Sequence, residues 1–174
     1  MMRFWALLCP VLARQEPSMP RLGYGYTADE MVLTFTTDNM TSADFVAAAW
    51  VGGASILAES LPPSLCGTLG PWVHVVRLKG LLPDTKYKYI FGDLRSDCGR
   101  APSKTPGCSE RYELSTAPPA GDKTSRSFAV IGDMGVLWSS PTLSVLTQRL
   151  ESFDFVHHNG DISYADNHYW TNPE

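Results

Sequence analysis

No stretch of about 20 apolar residues occurs in this 174-residue chain, so no segment is long enough to cross a bilayer as a helix. An excess of positive charge is also missing. The 14 Lys and Arg stand against 18 Asp and Glu, for a formal net charge of −4, which leaves no basic footprint for a dedicated nucleic-acid binder. Cysteines number four and form no Cys-x-x-Cys pair, so thiolate zinc chemistry has no support. Internal repeats and low-complexity tracts are absent too. What remains is ordinary globular composition, 44% hydrophobic and 18% charged, with length for one large domain or a small domain plus part of another.

Residues 1–13, MMRFWALLCPVLA, place Arg3 ahead of an apolar run from Phe4 to Ala13. Val11 and Ala13 fit the small-residue rule of a signal-peptidase site. The expectation is a short secretory leader, with a chance apolar start as the plainer reading. RQEPSMP, 14–20, reads as a polar linker, so 1–20 is leader plus linker. Asn39-Met40-Thr41 is a glycosylation acceptor, mild support for a secreted, extracellular or vacuolar protein.

From Arg21 the pattern is all-β. Runs rich in aromatic and β-branched residues alternate with turn signals: RLGYGYT at 21–27, MVLTFTT at 31–37, DFVAAAWV at 44–51, WVHVVRLKGL at 72–81, KYKYIFGD at 86–93 and ERYELST at 110–116. Val32, Thr34 and Thr36 alternate with Leu33, Phe35 and Thr37, and Trp72, His74, Val76 and Leu78 with Val73, Val75, Arg77 and Lys79. That is the period of half-buried strands. Six or seven strands in roughly 95 residues form a small sandwich. Leu82-Pro83-Asp84-Thr85-Lys86-Tyr87 resembles the turn before strand F of fibronectin type III domains, where a tyrosine hydroxyl, here that of Tyr87, reaches back to the backbone. Trp72, Tyr87 and Tyr89 admit a carbohydrate-binding strip, but core and corner roles suit them better.

Cys98 and Cys108 flank the loop CGRAPSKTPGC, and in an oxidising compartment they would bridge. Cys66 is left over, either a buried small hydrophobe or a partner for something outside the chain. TAPPAGDKTSRS, 116–127, reads as the linker to a second domain, which opens with the strand SFAVIGD. SSPTLSVLTQRLE, 139–151, predicts a helix with Ser140 as N-cap, Pro141 in the first turn, and Leu143, Leu146 and Leu150 as a stripe against a sheet. The strand FDFVHHN follows.

Each of these two strands ends in an acidic turn, Gly132-Asp133-Met134-Gly135 and Gly160-Asp161-Ile162-Ser163-Tyr164-Ala165-Asp166. Strand, helix and strand make a βαβ unit, and open α/β sheets bind ligands at the carboxyl edge. Neighbouring strands lie about 4.8 Å apart, so Asp133 and Asp161 can converge on one ion, with Tyr164 in the turn beyond. Singly, these residues are turn formers and gap fillers. Together they are a hard, all-oxygen donor set. A phenolate ligand near neutral pH requires a highly charged cation such as ferric iron, because free tyrosine titrates near pH 10, about three units higher. His157 and His158 alternate across the strand and suit hydrogen-bonded core roles. Asn159, Asp166 and His168 suit supporting or solvated roles, and Gly135 leaves room for close backbone approach.

GDMG followed by GDISYAD resembles the first two metal motifs of the purple acid phosphatases, within the binuclear metallophosphoesterases. The Asp-x-x-Tyr spacing is the specific part. The resemblance implies that Asp133 is an iron ligand, Asp161 the bridging carboxylate and Tyr164 the phenolate ligand. It implies ferric iron plus a second divalent ion (zinc, manganese or iron), and hydrolysis of small phosphoric monoesters in an acidic setting. It is compatible with a homodimer. A fibronectin III-like domain ahead of the catalytic one is the plant-type arrangement, giving 21–117 as the β-sandwich and 118–174 as the first βαβ unit of an incomplete α/β metallophosphoesterase domain. The family's Gly-Asn-His run and later histidine motifs are not in this sequence. The expectation is therefore an N-terminal fragment with a partial site, inactive alone. A non-catalytic sandwich module with a remnant metal half, and a diester- or nucleotide-hydrolysing relative, are the alternatives.

Overall fold

The computed structural model describes residues 16–38, 45–52, 59–66, 71–96, 98–100, 105–135 and 139–160. The chain divides into two compact units, Met1–Asp122 and Lys123–Glu174.

The first unit is a β-sandwich. One sheet runs β1 (Ser18–Tyr24), β2 (Met31–Thr37), β6 (Trp72–Leu78) and β4 (Glu59–Ser60), with β5 (Ser64–Leu65) also on β6. The other runs β3 (Ala47–Val51), β7 (Lys86–Asp93) and β8 (Tyr112–Ser115). All pairings in both sheets are antiparallel. Taking β4 and β5 together as one broken strand, the order is that of an immunoglobulin constant-type sandwich, four strands facing three.

Period-two burial drives the assembly. In β2, Met31, Leu33, Phe35 and Thr37 are buried while Val32, Thr34 and Thr36 are half-buried. β6 buries His74, Val76 and Leu78 against them, in register Phe35 to His74 and Leu33 to Val76. The facing sheet supplies Ala47, Ala49, Val51, Tyr89, Phe91 and Leu114, and residues of both sheets form one core. Phe35 and Phe91 meet at its centre, ring centroids 4.7 Å apart. The alternation expected for β2 and β6 is thus observed residue by residue. Tyr87 behaves as the turn predicts, its hydroxyl accepting the amide N–H of Leu82 at 2.9 Å. Tyr89 is buried and Trp72 half-buried at a strand end, so these aromatics form no exposed strip.

Three features differ from expectation or extend it. β1 starts at Ser18, three residues before Arg21, so the end of the linker is strand, with a bulge between Ser18 and Arg21 and Met19 at φ 51°. Two proline-broken fragments, β4 and β5, cover the free edge of β6. Pro62 and Pro63 between them donate no ladder hydrogen bond, which is why that edge strand is split. Cys98 and Cys108 are bridged, and with Ala48, Trp50 and Ile90 they form a second small core on the outer face of β3 and β7. The loop lies so close that a Cβ at Gly92 would collide with the carbonyl oxygen of Gly107. Cys66 is free and exposed, which removes the buried reading.

In the second unit β9 (Phe128–Ile131) pairs in parallel with β10 (Phe155–His158), in register Phe128 to Phe155 through Ile131 to His158. Helix α1 (Ser140–Gln148) lies between them in sequence. Ser139, not Ser140, occupies the N-cap and makes no side-chain cap bond, while Pro141 sits in the first turn as expected. A single 3-10 turn, Leu150–Ser152, extends the helical stretch. The order and the parallel pairing match the expected layout, but the packing does not. No residue of α1 is buried, and Leu143 and Leu150 are 50% and 60% exposed. Among the described residues the leucine stripe has no adequate counter-face: two strands about 5 Å apart are narrower than a helix about 10 Å across. A packed βαβ unit is therefore not established by the described residues.

Candidate metal centre at the strand exits

The entry end of the β9–β10 pair is pinned by Asp154. Its backbone N–H donates to the Ser127 carbonyl at 2.7 Å, and its carboxylate accepts the Ser127 N–H at 2.8 Å and lies 3.5 Å from the Arg126 guanidinium. Sequence reading passed over Asp154; its signal was an acidic residue immediately before an apolar run.

The exit end is closed by backbone. The N–H of Asn159 donates to the Ile131 carbonyl at 2.7 Å, one step past the last paired residues. Gly132 lies against this point, where a Cβ would sit 3.4 Å from the Asn159 carbonyl oxygen. A Cβ there would be in van der Waals contact with the neighbouring exit, so the two exits lie close together at this point. Asp133 follows with φ 57°, the left-handed region that costs a non-glycine residue of order 1–3 kcal/mol. Strain of this kind persists where surrounding structure imposes it and gathers at functional sites. Asp133 is exposed and Met134, next to it in the chain, is buried. On the neighbouring strand Gly160 has φ 82° at the corresponding level.

Of the three residues expected to bind metal, only Asp133 falls within the described residues. Asp161 and Tyr164 lie outside them, as do Asp166 and His168. Asp133 is thus placed at the exit adjoining the residue just before Asp161. His157 is exposed and His158 half-buried, with the Nδ1 of His158 buried and without a hydrogen-bond partner, so the hydrogen-bonded core roles expected of this pair are not observed; the strand is too little covered to bury them. Among the described residues no group of three or more His, Cys, Asp or Glu is arranged to hold a metal ion. What this edge offers is a carboxylate at a strand exit held by backbone, a setting that suits a hard cation.

Fold and exit together define a class: an all-β amino-terminal sandwich ahead of a parallel strand pair with an acidic exit. The curated relatives agree. A probable inactive purple acid phosphatase 1 of Arabidopsis thaliana is 29% identical over 86% of this chain. Purple acid phosphatase 21 of the same plant is 30% identical over 80%, and an acid phosphatase of Aspergillus ficuum is 37% identical over 53%. The chain is a relative of the purple acid phosphatases. It spans 28%, 29% and 14% of the lengths of these three proteins, respectively. No family model matches the sequence, and no solved structure does.

Proposed function

We propose that the chain is the amino-terminal part of a metal-dependent acid phosphatase acting on phosphoric monoesters. The sandwich, 21–117, precedes a βαβ unit, 118–174, that contributes half of a binuclear site. Asp133 would hold ferric iron, Asp161 would bridge to a divalent ion (zinc, manganese or iron), and Tyr164 would supply a phenolate. Such an ion pair, when bound, activates water and stabilises charge on the transferred phosphoryl group. The chain's own contribution is positional. Asp133 is pre-turned in a left-handed conformation, so less ordering remains to be done when a cation arrives. Gly132 lies beside the exit of the neighbouring strand. The observation that carries the reading is this strained aspartate beside the hydrogen-bonded exit of the neighbouring strand.

Ferric titration of the full 174-residue chain tests it. The reading requires a visible phenolate-to-iron charge-transfer band that Tyr164→Phe abolishes and that Asp133→Asn weakens. Iron binding that neither variant alters would sink the assignment. A second reading, a non-catalytic module, draws on the relative called probable inactive. It requires that p-nitrophenyl phosphate turnover at acidic pH stay at background with manganese, zinc or iron, even when the chain binds them.

A further inference from the structure

The outer face of the three-stranded sheet carries a feature that the phosphatase reading does not use. Beside the disulfide-covered core lies an open trough of about 390 Å³, and its lining includes Trp50, Gly52, Lys86, Lys88, Gly99 and Arg111. Strand alternation creates it. Tyr87, Tyr89 and Phe91 pack with the core, which sends Lys86, Lys88 and Ile90 to the opposite face. Trp50 stands opposite Ile90, and the Gly52 N–H bonds the Lys88 carbonyl at 2.9 Å. Gly99 closes one wall, so tight on the Trp50 indole that a Cβ there would collide with the ring. The trough thus joins glycine backbone over the buried Trp50 to exposed cations. Among the described residues no carboxylate is ion-paired with Lys86 or Lys88. Glu113, across the strand from Lys88, is the nearest acidic neighbour in register.

We propose that this trough binds an acidic oligosaccharide. Same-face residues of a strand stand about 6.7 Å apart, so Lys86 and Lys88 suit anionic groups on separate units of a ligand better than one compact anion. The trough is open to solvent, which suits an extended ligand. Gly52 and Gly99 put no side chain into the trough, which leaves room for a sugar ring between the cations. The net charge of −4 repels a densely charged polymer such as duplex nucleic acid, with about one charge per 1.7 Å, and favours a ligand with one charge per sugar.

Calorimetry on the full 174-residue chain at low salt tests this, with a galacturonate oligomer, a sulfated glycosaminoglycan oligomer and a neutral glucose oligomer as probes. One or both acidic oligomers bind, weakening as salt screens the cations, and the neutral one does not. The stronger acidic arm identifies carboxylate or sulfate as the recognised group. Lys86→Gln with Lys88→Gln weakens binding roughly tenfold, as two exposed charge contacts warrant, with an unchanged urea midpoint. Arg111→Gln gives an independent loss. Equal binding of the neutral oligomer, no binding of either acidic one, or full affinity in both variants overturns the proposal.

Discussion

His74 shows how much one residue depends on its setting. It is buried on β6 between the rings of Phe35 and Phe45, centroids 5.0 and 4.7 Å away, and shares a 2.9 Å hydrogen bond with the Thr37 hydroxyl. Burial pushes its pKa below the ordinary histidine value. In the unfolded chain the ring takes up a proton near pH 6.5, while in the fold it resists. The unfolded state then binds more protons, so this contribution to stability is complete above about pH 6.5 and is lost as the pH falls below it. Urea midpoints measured from neutral pH downward should drop through this window. A His74→Leu, Thr37→Val double variant, which leaves neither polar partner orphaned, should lose that part of the drop. Parallel profiles for the two proteins would show that His74 plays no part.

At the level of elements, β7 is the strand on which the sandwich turns. It starts at the Tyr87 corner, contributes Tyr89 and Phe91 to the main core, and carries Ile90 in the second core beneath the disulfide. The bridge closes a loop with a sequence separation of 10, and both its cysteines are buried. Replacing Cys98 and Cys108 together by serine should lower the unfolding free energy by roughly 2–4 kcal/mol, the usual range for such a closure. Urea denaturation of the oxidised protein against the variant checks this, and equal midpoints would mean that the packing around Trp50 suffices. Helix α1 is the opposite case, an element with regular geometry and no buried side chain.

The whole molecule is uneven in the same way. The sandwich unit buries apolar residues from two facing sheets, whereas the described residues of the second unit form two short strands, with Phe128 and Val130 of β9 55% and 58% exposed. Two paired strands are marginal on their own, and their open edges invite local opening. Limited proteolysis of the full chain should cut first within 117–127 and then consume the second unit, leaving a core that ends near residue 117. Mass spectrometry of the products decides, and a resistant core extending well beyond residue 120 would contradict the expectation.

Sequence alone determined the features that rest on local chemistry. Side-chain period identified the buried faces of β2 and β6, the Leu82–Tyr87 run announced its corner, and the Gly132-Asp133 turn marked the exit of β9. These follow from the two-residue strand repeat and from turn preferences, which need no distant partner. Tertiary structure decided what depends on neighbours far along the chain. It brought Ser18–Pro20 into a strand by offering β2 as a partner, and split the edge strand at Pro62 and Pro63. It left Leu143 exposed and Leu146 only half-buried, because among the described residues no wide sheet lies beneath them. It held Asp133 in a left-handed turn just after Gly132, which lies beside the exit of β10, and turned Lys86 and Lys88 outward beside Trp50. Neighbours of this kind are set by pairing and packing between separate segments, which residue spacing along one segment does not encode.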